Sequence, residues 1–146
     1  MERTRDGLLS VQRSLRSRFD DFRRALDRRD EPAYRFGLHD FHRCFCRWSD
    51  AAEKALLPAL RRSDRGGPAP ARELRPEWVQ LRELTRFLTT QLDGHAPLSD
   101  VLGLADNLER RLSAHESGME RDYLPAAAPE LTESEWKVLA EAAPEL

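Results

Sequence analysis

Cysteine is almost missing from these 146 residues, and the two that occur, Cys44 and Cys46, stand two apart. On a helix that spacing turns the thiols about 200° from each other, so they cannot join, and so few cysteines point to free thiols in a cytoplasmic compartment. Long apolar runs are missing too. Nothing approaches the roughly 20 residues that cross a bilayer, and the opening MERTRDGLLS has no apolar core of the kind a secretion signal needs. Charge of one sign is also lacking. With 24 basic and 26 acidic residues the net charge is -2, a field too weak to draw in nucleic acid or an anionic membrane, and neither is expected as a partner. There is no strand-like alternation, no internal repeat, no glycine-rich phosphate loop and no legible pairing of a nucleophile with a base.

What the chain does have is apolar residues in steps of three and four, the spacing that lines one face of a helix. Leu8, Gln12, Leu15, Phe19, Phe22 and Leu26 form a first stripe, stopped before Asp30-Glu31-Pro32. A second helix runs from about Pro32 to Arg62, with Leu38, Phe41, Phe45, Trp48, Ala52, Ala55 and Ala59 inward. The Gly/Pro-rich loop from Ser63 to Pro70 breaks the chain, and a third stripe follows: Leu74, Trp78, Leu81, Thr85, Leu88 and Leu92, with Asp93-Gly94 as its stop. A fourth helix begins after Pro97, with Ser99 as the expected cap, and aligns Val101, Ala105, Leu108, Leu112, His115 and Met119. Thr132-Glu133-Ser134-Glu135 has the spacing of a capping box and starts a short tail helix that docks through Trp136 and Leu139. Short connections between singly striped helices predict one all-α domain over 1–146: an up-down-up-down antiparallel four-helix bundle with a short C-terminal helix.

Antiparallel neighbours bring the odd residues of the stripes to one level. Gln12 and Trp78 lie near the starts of helices 1 and 3, and Trp48, Ala52, His115 and Met119 near the ends of helices 2 and 4. The two helix ends read Trp48-Ser-Asp-Ala-Ala52-Glu53-Lys-Ala-Leu-Leu-Pro58 and His115-Glu-Ser-Gly-Met119-Glu120-Arg-Asp-Tyr-Leu-Pro125. With Gln12-Arg-Ser-Leu15, Glu77-Trp78-Val-Gln-Leu81 and the tail Leu131-Thr-Glu-Ser-Glu-Trp136, this pattern resembles the hemerythrin-like (HHE cation-binding) family over nearly the whole chain.

The resemblance implies a bundle whose interior holds two iron ions through histidines and carboxylates at that level. It also implies that Trp48 and Ala52 occupy one His/Glu pair of positions and His115 and Met119 the other, while Gln12 and Trp78 stand where histidines are expected. Only His115 keeps a ligand type. A non-haem iron pair needs several imidazoles and bridging carboxylates, so this set predicts no di-iron centre and no cofactor.

Three readings follow for that level. It is a chamber for a small apolar or aromatic molecule, lined by Gln12, Trp48, Ala52, Trp78, Thr85, His115 and Met119, or it is packed shut in an interaction module. Alternatively, His115 acts as general acid/base of a metal-independent enzyme on a small metabolite. As a third reading, iron or zinc binds through a shifted set that includes His39, His42 and His115. If structural only, His115 is a neutral imidazole bonded to Gln12, Thr85 or Glu120, and Glu53 and Glu120 are surface or interhelical carboxylates. His39, His42 and Cys46 share one face of helix 2, which could contact helix 1 or 3, a soft metal such as zinc, or a second copy in a homodimer.

Overall fold

The computed structural model describes residues 1–63 and 68–144, with backbone alone for 68–70. Helix α1 spans Arg5–Asp27, α2 Glu31–Arg62, α3 Pro68–Asp93 and α4 Leu98–Gly118. A wide π-turn, Met119–Tyr123, then leads into α5, Leu124–Ala127, a 3₁₀ turn at Ala128–Glu130, and α6, Glu133–Ala142. Among the described residues there is no strand. Of the Gly/Pro loop expected from Ser63 to Pro70, residues 64–67 lie outside the described residues, and 68–70 are not loop but the first turn of α3, where proline is tolerated because first-turn N–H groups have no helical acceptor.

Cross-links between neighbours set the directions. Arg18 reaches Asp40 while Phe22 meets Gly37, Arg82 reaches Glu53 while Asp93 meets His39, Gln80 meets Arg111 while Glu77 meets His115, and Arg16 reaches Glu116 while Arg23 reaches Asp106, so numbers rise on one helix as they fall on the next and every neighbouring pair of long helices runs antiparallel. Glu53 is thus an interhelical carboxylate. The expected apolar stripes supply the core: Phe19 packs against Phe22 and Phe41, and Phe41 against Phe45, at centroid distances of 5.4 to 5.8 Å. Such pairs add about 0.5–1.5 kcal/mol each beyond the area they bury. Of the four seams around the bundle, the one between α1 and α4 has the fewest close backbone approaches, and side chains close it.

The helix ends follow local chemistry, with two departures from expectation. Thr4 caps α1 by accepting from the Gly7 N–H, and Asp30 caps α2 by accepting from Ala33. Ser99 does not cap α4: the helix already starts at Leu98, with Pro97 at the cap position and no side-chain bond. Proline suits that place because first-turn N–H groups lack helical partners anyway. At the end of α3 the left-handed residue is His95 (φ 59°) and not Gly94, and Ala96 N–H reaches back to the Gln91 carbonyl. Helices α2 and α3 continue through Pro58 and Pro76. The residues four before them, Lys54 and Arg72, are exposed, so water can serve the carbonyls that those prolines leave without a donor.

The π-turn has a packing reason. After buried Met119, an unbroken α-helix would turn Asp122 or Tyr123 inward; one extra residue per turn passes them and buries Leu124. The tail helix starts at the predicted capping box, in which Thr132 accepts from Glu135 N–H and Glu135 accepts from Thr132 N–H. Leu139 is fully buried, Trp136 packs on the core margin, and Arg62 ties α6 to α2 through Glu135 and the Glu130 carbonyl.

Gly37 marks a close approach of α1 and α2, where an added Cβ would stand 3.0 Å from Phe22 Cα. Helix propensity alone favours Gly37→Ala by about 1 kcal/mol. Because the obstruction is backbone, Gly37→Ala should instead lower the urea midpoint; a raised midpoint would show that α1 yields freely.

Candidate functional site

The polar centre of the bundle is an imidazole held by a carboxylate. His115 of α4 is only 5% exposed, and its Nδ1 lies 2.5 Å from Glu77 Oε1 of α3. Glu77 and Trp78 are consecutive, so they point about 100° apart around α3: the indole goes into the core, where it is 1% exposed, and the carboxylate goes to the flank facing α4. The Trp78 ring meets the imidazole edge-on, with centroids 6.0 Å apart and planes at 64°. A carboxylate only accepts, so Nδ1 carries the proton and donates it, leaving Nε2 as an acceptor in the neutral ring. Among the described residues, no hydrogen bond reaches Nε2.

Beside this pair lies a cleft at the α1–α4 seam. Gln12, Leu15 and Arg16 from α1, Phe45 and Trp48 from α2, and Leu112, His115 and Glu116 from α4 line it. Its volume is about 10 Å³, room for one water at most. Arg16 lies on its α1 side. Its guanidinium donates to Glu116 at 2.8 Å, Ser113 at 2.9 Å, Asp20 at 3.0 Å and Glu109 at 3.4 Å, and lies 5.6 Å from the centre of the Phe19 ring. Burial pushes the Glu116 carboxyl above its usual range, and the Arg16 hydrogen bond only partly offsets this.

Gln12, Trp48 and His115 line the cleft together, as their spacing suggests, and Trp78 stands against the imidazole. Ala52 and Met119 are buried in the surrounding core. Thr85 is buried but turned to its own helix, where its hydroxyl donates to the Leu81 carbonyl. The partner of His115 is Glu77 and none of the three expected residues: Thr85 is engaged elsewhere, Glu120 is exposed on the π-turn, and Gln12 makes no bond to it among the described residues. Sequence reasoning missed Glu77, Arg16 and Glu116 as site residues. The available signal was adjacency, since each stands one or four places from a residue already singled out.

The hemerythrin-like pattern implies iron, and the donors at this level do not fit an iron pair. One imidazole and one carboxylate bond each other; indole, methyl and thioether groups fill the remaining positions. Among the described residues no three His, Cys, Asp or Glu side chains are grouped so as to hold a metal ion. His39, His42 and Cys46 face α3: His39 Nε2 is 3.0 Å from Asp93, and Cys46 Sγ is 3.7 Å from His42 Nδ1, with Arg82 and Arg86 close by. Burial raises the Cys46 thiol and lowers His42, so neither is poised as a thiolate or an imidazolium. Both cysteines are free.

Glu77→Ala strips the acceptor from a buried N–H and should cost about 1–3 kcal/mol in urea denaturation; a loss of only a few tenths would mean water replaces the carboxylate. The raised Glu116 carboxyl favours its protonated form in the folded chain. Its contribution is therefore full below the unfolded value of about 4.5 and is lost as pH rises through the folded value. Glu116→Gln should flatten that part of the stability curve just above pH 4.5 relative to the parent, and parallel curves would refute the assignment.

No curated protein and no solved structure matches the chain. The model of the hemerythrin HHE cation binding domain matches it over residues 5–127, which takes in all four long helices and the cleft between them. This chain belongs to the hemerythrin HHE cation-binding domain family.

Proposed function

We propose that this chain is a hemerythrin-like bundle without a di-iron centre that binds a small, mostly apolar or aromatic molecule where the α1–α4 seam meets the former metal level. One observation carries the reading: His115, whose Nε2 no hydrogen bond reaches among the described residues, lines a cleft walled by Phe45, Trp48, Leu15 and Leu112. Small-molecule sites commonly combine apolar walls with a few fixed polar groups. Gln12 and His115 are those groups here. Trp78, Ala52, Thr85 and Met119 then form the packed floor behind the cleft.

Two further readings each have an observation in their favour. The small volume of the cleft favours a chamber packed shut, with the bundle serving as an interaction module for surface contacts, including a homodimer. The Glu77–His115 pair favours a metal-independent enzyme in which Nε2 takes or gives a proton, since the carboxylate orients the ring and sets its tautomer.

Titration with benzyl alcohol, followed by NMR amide and indole spectra, should move the Trp48 indole, the Gln12 side-chain amide and His115 first, and saturably. If no signal shifts at millimolar probe, the binding reading is lost. Protein purified from iron- and zinc-supplemented culture should carry far less than one metal ion per chain by elemental analysis, and stoichiometric iron would overturn the metal-free reading.

A further inference from the structure

We propose that the α1–α4 seam is a site for a small organic ammonium ion, and that Arg16 is its resident stand-in. The proposal rests on the small-molecule reading above and gives the ligand its chemical class.

Charge argues for a cation. Three carboxylates, Asp20, Glu109 and Glu116, converge on the single guanidinium of Arg16. The next cation along the seam, Arg23, is engaged with Asp27 and Asp106. An entering anion would meet this excess of negative charge in a half-buried setting where water screens poorly. A neutral molecule that displaced Arg16 would leave Glu116 buried without its counter-charge, which is costly.

Two independent features of the cleft ask for the same ligand. The guanidinium of Arg16 already lies over the Phe19 ring, and Phe45 and Trp48 line the same cleft as Arg16, the setting in which organic cations bind. His115, 95% buried and lining the cleft, offers Nε2 as an acceptor because Glu77 takes the proton on Nδ1. An ammonium N–H supplies what Nε2 lacks, and its charge pairs with Glu116. A flat apolar body then lies against Trp48.

The volume of about 10 Å³ is the volume with Arg16 in place. Arg16 can leave Glu116 without losing all its partners, since Asp20 and Glu109 lie further out, with side chains 39% and 37% exposed against 23% for Glu116. The α1 and α4 backbones scarcely touch, so opening needs side-chain rotation and no broken helix. Arg16 and the ligand compete for one carboxylate.

Phenethylamine, phenethyl alcohol and phenylacetate share one ring and differ in charge, so titrating the full chain with each isolates the cation term, read by tryptophan fluorescence. Phenethylamine should saturate about tenfold more tightly than the alcohol, with phenylacetate weakest. Glu116→Gln should erase that preference. Arg16→Gln, which removes the competing guanidinium, should tighten phenethylamine by about tenfold; should Glu116→Gln fail to fold, this second variant decides alone. Equal binding of amine and alcohol, or an Arg16→Gln variant no tighter than the parent, overturns the ammonium assignment while leaving a small-molecule cleft intact. If none of the three probes binds either the parent or Arg16→Gln, the small-molecule reading falls with it.

Discussion

An imidazole buried between helices must have an acceptor for its N–H, and the Glu77–His115 pair meets that need at the centre of this bundle. The surrounding arrangement depends on it. Glu77 can reach α4 only because Trp78, its neighbour in sequence, takes the inward direction on α3. The indole in turn fills space beside the imidazole, leaving room for about one water. Replacing ligand side chains singly would have left holes or unpaired donors. Here indoles, a methyl and a thioether fill the level together, and the one imidazole there has an acceptor for its Nδ1 proton.

The same constraint separates a family fold from the family's metal chemistry. Membership rests on a match over 5–127, on four antiparallel helices, and on the spacing of their ends. Iron chemistry rests on a donor set, and the residues at this level present one histidine where several are needed. The groups that line the cleft instead offer hydrogen bonding and aromatic surface: an imidazole, a half-buried carboxylate, and the rings of Phe45 and Trp48.

Seams differ in what closes them, and that difference locates the cleft. Between α1 and α2 the backbones approach at Gly37, and aromatic rings interlock across the boundary. Between α1 and α4 the contact is made by long charged side chains, chiefly Arg16 and Arg23, reaching acids on the opposite helix. Packed rings resist rotation because every contact is lost at once, whereas a guanidinium with several acceptors can exchange one for another. Access to the centre of the bundle is therefore easiest beside Arg16.

The sequence by itself determined the four stripes, the helix order, the capping box of the tail helix, and the meeting of Gln12, Trp48 and His115 at one level. These follow from periodicity and from caps, which act within a few residues of one another. It did not determine that His95 rather than Gly94 would take the left-handed turn, that a π-turn would carry the chain past Asp122, or that Glu77 would be the partner of His115. Those depend on which flank of one helix faces which flank of another, and a rotation of a few tens of degrees changes the answer without altering the stripe. The tertiary structure alone brought Arg16 and Glu116 together across 100 residues of chain, because a salt link between helices needs both the facing flanks and the axial level to agree.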